Sequence, residues 1–235
     1  MCADFTVKEN DKANLHAGHR NRLRERFLKT GMDAFEDHEA LELLLFYGIA
    51  RRNVNPLAHE LIRQFGSLHA LFEAPVDELS AVEGVGKNTA ILIKLITALG
   101  RRYEISRTSH IEVIDSTEKA GKYLIPRLSA QRDEVVYMVC LDSRYKILDC
   151  RQMFRGSVNS AGVNMRKLVE NALSFNAVSV ILAHNHISGV KQPSREDIEC
   201  TKRVGEALRH IDINFVDHII VAGHEYVSMA DMGMM

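Results

Sequence analysis

Ala177-Val-Ser-Val-Ile-Leu-Ala183 is small or apolar at every position. A strand with no polar face belongs in the middle of a sheet, because a solvated face would carry alternating polar residues. The sequence around it supplies what such a sheet needs. Val163 to Phe175 and Ser194 to Ile211 have amphipathic helical spacing. Glu134 to Leu141 and Ile147 to Phe154 are β-rich runs joined by Asp142-Ser-Arg-Tyr145, which predicts a hairpin. Asp115-Ser-Thr-Glu118 opens a further helix with a capping-box pattern. Ile213 to Ala222 and Glu225 to Met229 close the chain as strands. Strands alternating with helices of this length imply an α/β sandwich over 115–235.

The first 104 residues have a different grammar, with helical spacing and no strand-like alternation. Asp37 to Gly48 has a capping candidate, an apolar face and a terminal glycine. Pro56 to Phe65 places proline in the first turn and Gly66 past the end. Residues 67–74 make a short helix, and helical periodicity resumes from Asn88 to Tyr103. Within 76–103, Leu79-Ser-Ala-Val-Glu-Gly-Val-Gly-Lys-Asn-Thr-Ala90 predicts a short helix, a glycine turn and a longer helix. The segment resembles the helix-hairpin-helix of sequence-independent DNA binders. Gly84 and Gly86 let the backbone bend and leave amide N–H groups at a helix start, a ready site for a phosphate. Val85 would plug between the helices, and Lys87 would add a charged contact. Such hairpins also serve as plain helical connectors. The Arg20, Arg22, Arg24, Arg26 and Lys29 run upstream is either a second phosphate-facing feature or a solvated face. Polar residues gather from Ser106 to Ile114, so the chain is read as a helical domain (1–104) and an α/β domain (115–235).

Composition removes several classes of function. Thirty basic against 31 acidic side chains give a net charge of −1, so no global case exists for polyanion binding. The longest apolar run near the N-terminus is far short of the roughly 20 residues a membrane span needs. The start, Met1-Cys-Ala-Asp-Phe-Thr-Val, lacks the basic and apolar regions of a signal peptide. The four cysteines at 2, 140, 150 and 200 form no C-x-x-C pair, so neither a cysteine zinc site nor a disulfide framework is indicated. A reduced cytoplasmic setting and no membrane partner are expected.

The chemistry follows the apolar strand directly. In His184-Asn-His186, residues i and i+2 of an extended segment point to one side, so the two imidazoles can converge. After ten further residues comes Asp197, in the first turn of the next helix. Two histidines and a carboxylate can hold Zn²⁺ with a fourth position left for water, the open arrangement of a catalytic site. Each part has an ordinary reading too: isolated H-x-H pairs are common, and Ser194-Arg-Glu-Asp197 alone is a capping box.

The joint pattern H-x-H-x7-S-x2-D is the signature of the JAMM (MPN+) metalloproteases. With His184-Asn-His-Ile-Ser-Gly189 and Pro193-Ser-Arg-Glu-Asp197, the chain resembles the bacterial RadC family. The resemblance extends to Gly18-His-Arg-Asn-Arg-Leu-Arg-Glu-Arg-Phe27, Asn55-Pro-Leu-Ala-His59, the hairpin, Gly156-Ser-Val-Asn-Ser160 and Asp217-His-Ile-Ile220. One departure is Ile187, where the family usually has proline. The resemblance implies a cytidine-deaminase-like MPN sandwich, one Zn²⁺ per chain on His184, His186 and Asp197, and a peptide or isopeptide substrate. It also implies a glutamate general acid/base, for which Glu134 at the start of its strand is the candidate. Asp133 beside it would point to the opposite face. By the same resemblance Ser194 helps hold the oxyanion, although its capping role competes for the same oxygen.

Two other functions compete with a zinc peptidase. One is a DNA-associated protein, linked to repair or recombination, whose metal domain is structural or regulatory. The other, nucleobase deamination, needs H-x-E with P-C-x-x-C, and the chain has neither. His38-Glu39, His59-Glu60 and His224-Glu225 begin like H-E-x-x-H but lack the second histidine. Asp217 and His218 are read either as support for the metal site or as core hydrogen bonding.

Overall fold

Among the described residues, helices alone build the first part of the chain: α1 (His19–Thr30), α2 (Asp37–Gly48), α3 (Asn55–Phe65), α4 (Leu68–Glu73), α5 (Val76–Ala81) and α6 (Lys87–Arg107). The computed structural model describes residues 18–156 and 164–235. Residues 157–160 of the Gly156–Ser160 motif, and Val163 at the expected start of a helix, lie outside that range. The chain divides into two compact units, Met1–Gly100 and Arg101–Met235.

In the first unit the apolar faces of the helices meet around Leu41, Leu45, Leu61, Leu71, Leu79 and Ile93, all fully buried. Punctuation residues set the helix ends. Gly66 takes a left-handed conformation after α3, and Ser67 caps α4 by accepting the Ala70 N–H. The cap of α2 is Glu36, one residue before the candidate Asp37: Glu36 N–H donates to the Glu39 carboxylate at 3.1 Å in a capping box. The basic helix α1 is partly turned inward. Arg20 donates to the carbonyls of Phe46, Ile49 and Arg52, and Arg26 forms a two-pronged pair with Glu39 at 2.8 and 2.9 Å. These two arginines hold α2 and the turn after it, so the basic run is not a continuous phosphate-facing surface.

The second unit continues with α7 (Thr117–Leu128), the hairpin β1 (Val135–Leu141) and β2 (Ile147–Arg155), then α8 (Met165–Ser174), β3 (Ser179–Asn185), α9 (Arg195–Arg209), β4 (Asn214–Ala222) and β5 (Glu225–Ser228). The cap of α7 is Ser116, which accepts the Lys119 N–H, so the expected Asp115–Glu118 box does not form. The sheet order is β2-β1-β3-β4-β5. β3 and β4 run parallel, and the other neighbouring pairs are antiparallel. β3 sits in the centre and is buried at every position, as its sequence requires.

Alternation along β1 feeds two cores. Val136, Met138 and Cys140 pack with Leu168 and Ala172 of α8 and Cys200, Val204 and Leu208 of α9. Val135, Val139 and Leu141 pack with Ala120, Leu124 and Leu128 of α7. The result is a mixed sheet with helices on both faces. A side chain at Gly121 would run into the Tyr226 ring, so glycine lets α7 lie close on β5.

Candidate metal centre

The centre sits where β3 runs out. His184 is in the strand, His186 follows it, and the chain then loops to Ser194, the N-cap of α9. Asp197 is the third residue of that helix and faces back toward the strand. The capping box that starts the helix also fixes this carboxylate. Ser194 N–H and Ser194 Oγ each donate to Asp197 Oδ2 at 2.7 Å, and Asp197 N–H donates to Ser194 Oγ at 3.1 Å.

The three candidate ligands come together. His184 Nε2 lies 3.0 Å from His186 Nε2 and 3.0 Å from Asp197 Oδ1, and His186 Nε2 lies 3.2 Å from Asp197 Oδ2. Among the described residues this is the group of three such side chains whose ligand atoms converge. With zinc–ligand bonds of about 2.0–2.1 Å, the edge of a tetrahedron is about 3.3 Å, close to these separations. The donor chemistry fits a cation as well. His186 Nδ1 faces the Val190 carbonyl oxygen at 2.7 Å, which can only accept, so Nδ1 carries the ring hydrogen. His186 Nε2 therefore presents a lone pair to a carboxylate and to a second imidazole.

The electrostatics make this a point that attracts positive charge. Burial works against the charged form of Asp197, yet its hydrogen bonds to His184, His186 and Ser194 hold the carboxyl well below the usual range. Hydrogen bonding to the Asp197 carboxylate raises His186 above the ordinary histidine value against the opposing effect of burial, and the charge of Glu134 adds to the rise. His184 and Asp197 are almost completely buried, whereas His186 keeps 12% of its side chain exposed. Access to the centre is thus past His186, beside the exposed Ile187 and Val190.

Glu134 immediately precedes β1, and its carbonyl accepts the Gly156 N–H at 2.7 Å. Strand alternation puts it on the face of Val136, the residue that pairs with His184. Asp133 is exposed and pairs with Arg155 at 3.2 Å. The clamp on this segment is Asn185, which the sequence analysis did not single out. Asn185 Oδ1 accepts the Val135 N–H at 2.7 Å, and Asn185 Nδ2 donates to the Asp133 carbonyl at 3.1 Å. The residue between the two histidines thus grips the backbone on either side of Glu134.

His218 and Asp217 part company. His218, fully buried, faces His184 Nδ1 at 2.8 Å, and burial holds its imidazole well below the ordinary histidine value. Asp217 turns to the end of the chain: its carboxylate accepts from Ser228 Oγ, Ala230 N–H and His218 N–H. Burial raises its carboxyl. Of the false H-E-x-x-H starts, His38 and His59 stack on each other at 4.1 Å.

The hairpin residues lie in the other unit. Gly84 takes φ +92°, Val85 is buried with its N–H on the Val82 carbonyl, and Gly86 and Lys87 are exposed at the start of α6. A side chain at Gly84 would stand 3.1 Å from the Arg52 guanidinium.

A family model described as a RadC-like JAB domain matches residues 114–234, and one described as UPF0758 N-terminal matches residues 16–91. A UPF0758 protein of Nitrosococcus oceani is 38% identical over 214 residues, covering 91% of this chain and 96% of the relative. That of Stutzerimonas stutzeri is 37% identical with the same coverage. One from Fusobacterium nucleatum is 34% identical over 224 residues, 92% of this chain and 97% of its own length.

Proposed function

This chain belongs to the RadC-like JAB domain family, and from that premise we propose that it is a zinc-dependent hydrolase of peptide or isopeptide bonds. One observation carries the proposal: a buried carboxylate and two imidazole nitrogens converge at 3.0–3.2 Å on one point, with His186 Nε2 offering a lone pair there. The general chemistry of JAB domains supports hydrolysis. His184, His186 and Asp197 would hold one Zn²⁺ per chain. Zinc would supply a Lewis acid, lowering the pKa of a water toward about 7 and polarising a carbonyl.

The chain's own residues do the rest. Glu134 takes the proton of the attacking water and returns it to the leaving amine, so no net proton is consumed. Asn185 keeps the Glu134 backbone in register with the two histidines. The hydroxyl hydrogen of Ser194 is directed at Asp197 Oδ2. Ser194 therefore acts first by fixing a ligand, and it assists an oxyanion only if that hydrogen is released. Free thiols at Cys140, Cys150 and Cys200 fit the reducing cytoplasm. Among the described residues no helix is long and apolar enough to cross a membrane.

Metal analysis of the purified chain, joined to an unbiased peptide-cleavage screen, tests this reading. About one zinc per chain with cleavage of any amide supports it. A chain that takes no zinc when offered it refutes it.

A second activity is proposed for the first unit: sequence-independent contact with DNA through the turn Gly84, Val85, Gly86 and Lys87, in which buried Val85 anchors the turn and the glycines and Lys87 would meet phosphate. Its support is the Arg52 guanidinium beside Gly84, which adds a cation to the exposed amides and Lys87. In that case the metal domain would serve a DNA-associated protein. Duplex binding by the full chain that weakens steeply with salt is the expected result.

A further inference from the structure

We infer that His218 and Thr201 are positioning residues that set the ring hydrogen of His184, so that its Nε2 lone pair is always turned to the centre. The inference rests on the metal-centre reading above and extends it to two residues that do not touch the metal position.

The argument starts from an atom that cannot donate. Thr201 lies one turn after Asp197 in α9, fully within the core, and its Oγ1 is 2.7 Å from the Asp197 carbonyl oxygen. That oxygen only accepts, as does the Met229 sulfur 3.3 Å away, so the Thr201 hydroxyl hydrogen goes to one of these acceptors, the carbonyl being the closer. Thr201 Oγ1 is also 2.6 Å from His218 Nδ1. Having given its hydrogen away, the hydroxyl must accept there, and His218 Nδ1 must be the nitrogen that carries a hydrogen. A neutral imidazole has one ring hydrogen, so His218 Nε2 is bare. It faces His184 Nδ1 at 2.8 Å, which must then donate. The hydrogen of the neutral His184 ring is thereby placed on Nδ1, and Nε2 is the nitrogen left to bind a cation.

This completes the census of the centre. His186 Nε2 is bare because Val190 offers a carbonyl to its Nδ1. His184 Nε2 is bare because the relay ends on a carbonyl of Asp197. With both rings neutral, two imidazole lone pairs and a carboxylate therefore meet at a point where either a proton or a metal cation must lie between them. The two histidines reach it by different means. His186 uses a loop carbonyl at the exposed rim, whereas His184 uses a closed relay in the core. That relay returns to the backbone of the third ligand, so the tautomer of His184 and the start of α9 are set together. Outer partners of this kind fix ring orientation and raise the basicity of a ligating imidazole.

The test uses the full chain, stripped of metal and titrated with zinc against a competing chromophoric chelator. If wild type takes up no zinc, or His184→Ala leaves uptake unchanged, the metal-centre reading fails and this inference with it. Given uptake by wild type, His218→Leu should weaken zinc binding by roughly 10–100-fold and Thr201→Val by about 10-fold. His218→Gln offers an amide oxygen near the position of Nε2 and should recover most of the loss. A purely structural role would lower the melting temperature of these variants but leave the zinc affinity of the folded protein unchanged. Nitrogen-15 spectra of the histidine rings in wild type read the hydrogens directly: Nδ1–H is expected on both His184 and His218. Wild-type zinc affinity in a folded His218→Leu, or a hydrogen on His218 Nε2, overturns the inference while the metal centre stands. If His218→Leu does not fold, Thr201→Val and the wild-type spectra decide between the same two outcomes.

Discussion

Each unit of the chain buries a carboxylate against histidine, and the two carboxylates live in opposite circumstances. Glu42, 1% exposed in the first unit, receives His19 Nε2 on one oxygen and Asn55 Nδ2 on the other, both at 3.0 Å. Every lone-pair direction that matters has a donor, so the cluster is complete and simply ties α1, α2 and α3 together. Asp197, 2% exposed in the second unit, faces two imidazole nitrogens. There the acceptors outnumber the donors. Buried polar groups lacking partners are costly, so the first cluster reads as a tie and the second as a place for a cation. Both carboxylates are buried and each takes two hydrogens from its neighbours, His19 and Asn55 in one case and Ser194 in the other; what separates them is that two imidazole nitrogens converge on Asp197 in addition.

Breaking the ligands should give the largest difference between the units. The double variant His184→Ala/His186→Ala should fall from about one zinc per chain to a trace, since a lone carboxylate does not hold it. Elemental analysis of folded protein checks this, and stoichiometric zinc in the double variant would place the metal elsewhere. Glu134→Gln should come next. It keeps size and hydrogen bonding but cannot take a proton at neutral pH, so any hydrolysis should fall by roughly 10²–10⁴-fold. Zinc content and melting temperature should stay at the wild-type level. If Asp133→Asn shows the loss instead, the base has been misassigned.

Glu42→Gln sharpens the comparison from the other side. An amide in that closed cluster sets an N–H against a donor and should cost about 1–3 kcal/mol of stability. Denaturant titration measures it, and zinc uptake should be untouched; a fall in uptake would mean that the two clusters are not independent. Removing both Asn185 bonds with Asn185→Leu should cost a similar or smaller amount, about 0.5–1.5 kcal/mol per bond. Faster amide exchange at Val135 is its specific sign. The smallest effect belongs to Gly86→Val, which should weaken nonspecific duplex binding at low salt without altering either cluster.

How much of this was legible in the sequence depends on the distance over which each contact is made. The central strand, the hairpin, the helix-capped aspartate and the convergence of His184 with His186 follow from spacing within a few residues. Ser194 and Asp197 were legible because a capping box is a local motif. The boundary slipped by a residue at α2, where Glu36 and not the candidate Asp37 is the cap. Arg20 read as surface because its three acceptor carbonyls lie 26 to 32 residues away. His218 was only half legible, since its partner is set by the parallel pairing of β3 with β4, which places it opposite Leu182. Asn185 was overlooked because it appeared as the spacer in H-x-H, whereas its amide bridges to backbone 50 and 52 positions earlier.

The parallel pairing of β3 and β4 has a consequence for how the molecule comes into being. Parallel neighbours require a crossover, and here the crossover is α9, the helix that brings Asp197 and Thr201. His184, His186, Asp197, Thr201 and His218 thus all fall within a single strand–helix–strand passage of the chain. Closing so short a stretch is entropically mild. If the centre holds a metal, the ion joins residues of this one passage, and its binding free energy becomes folding free energy of the strand–helix–strand unit.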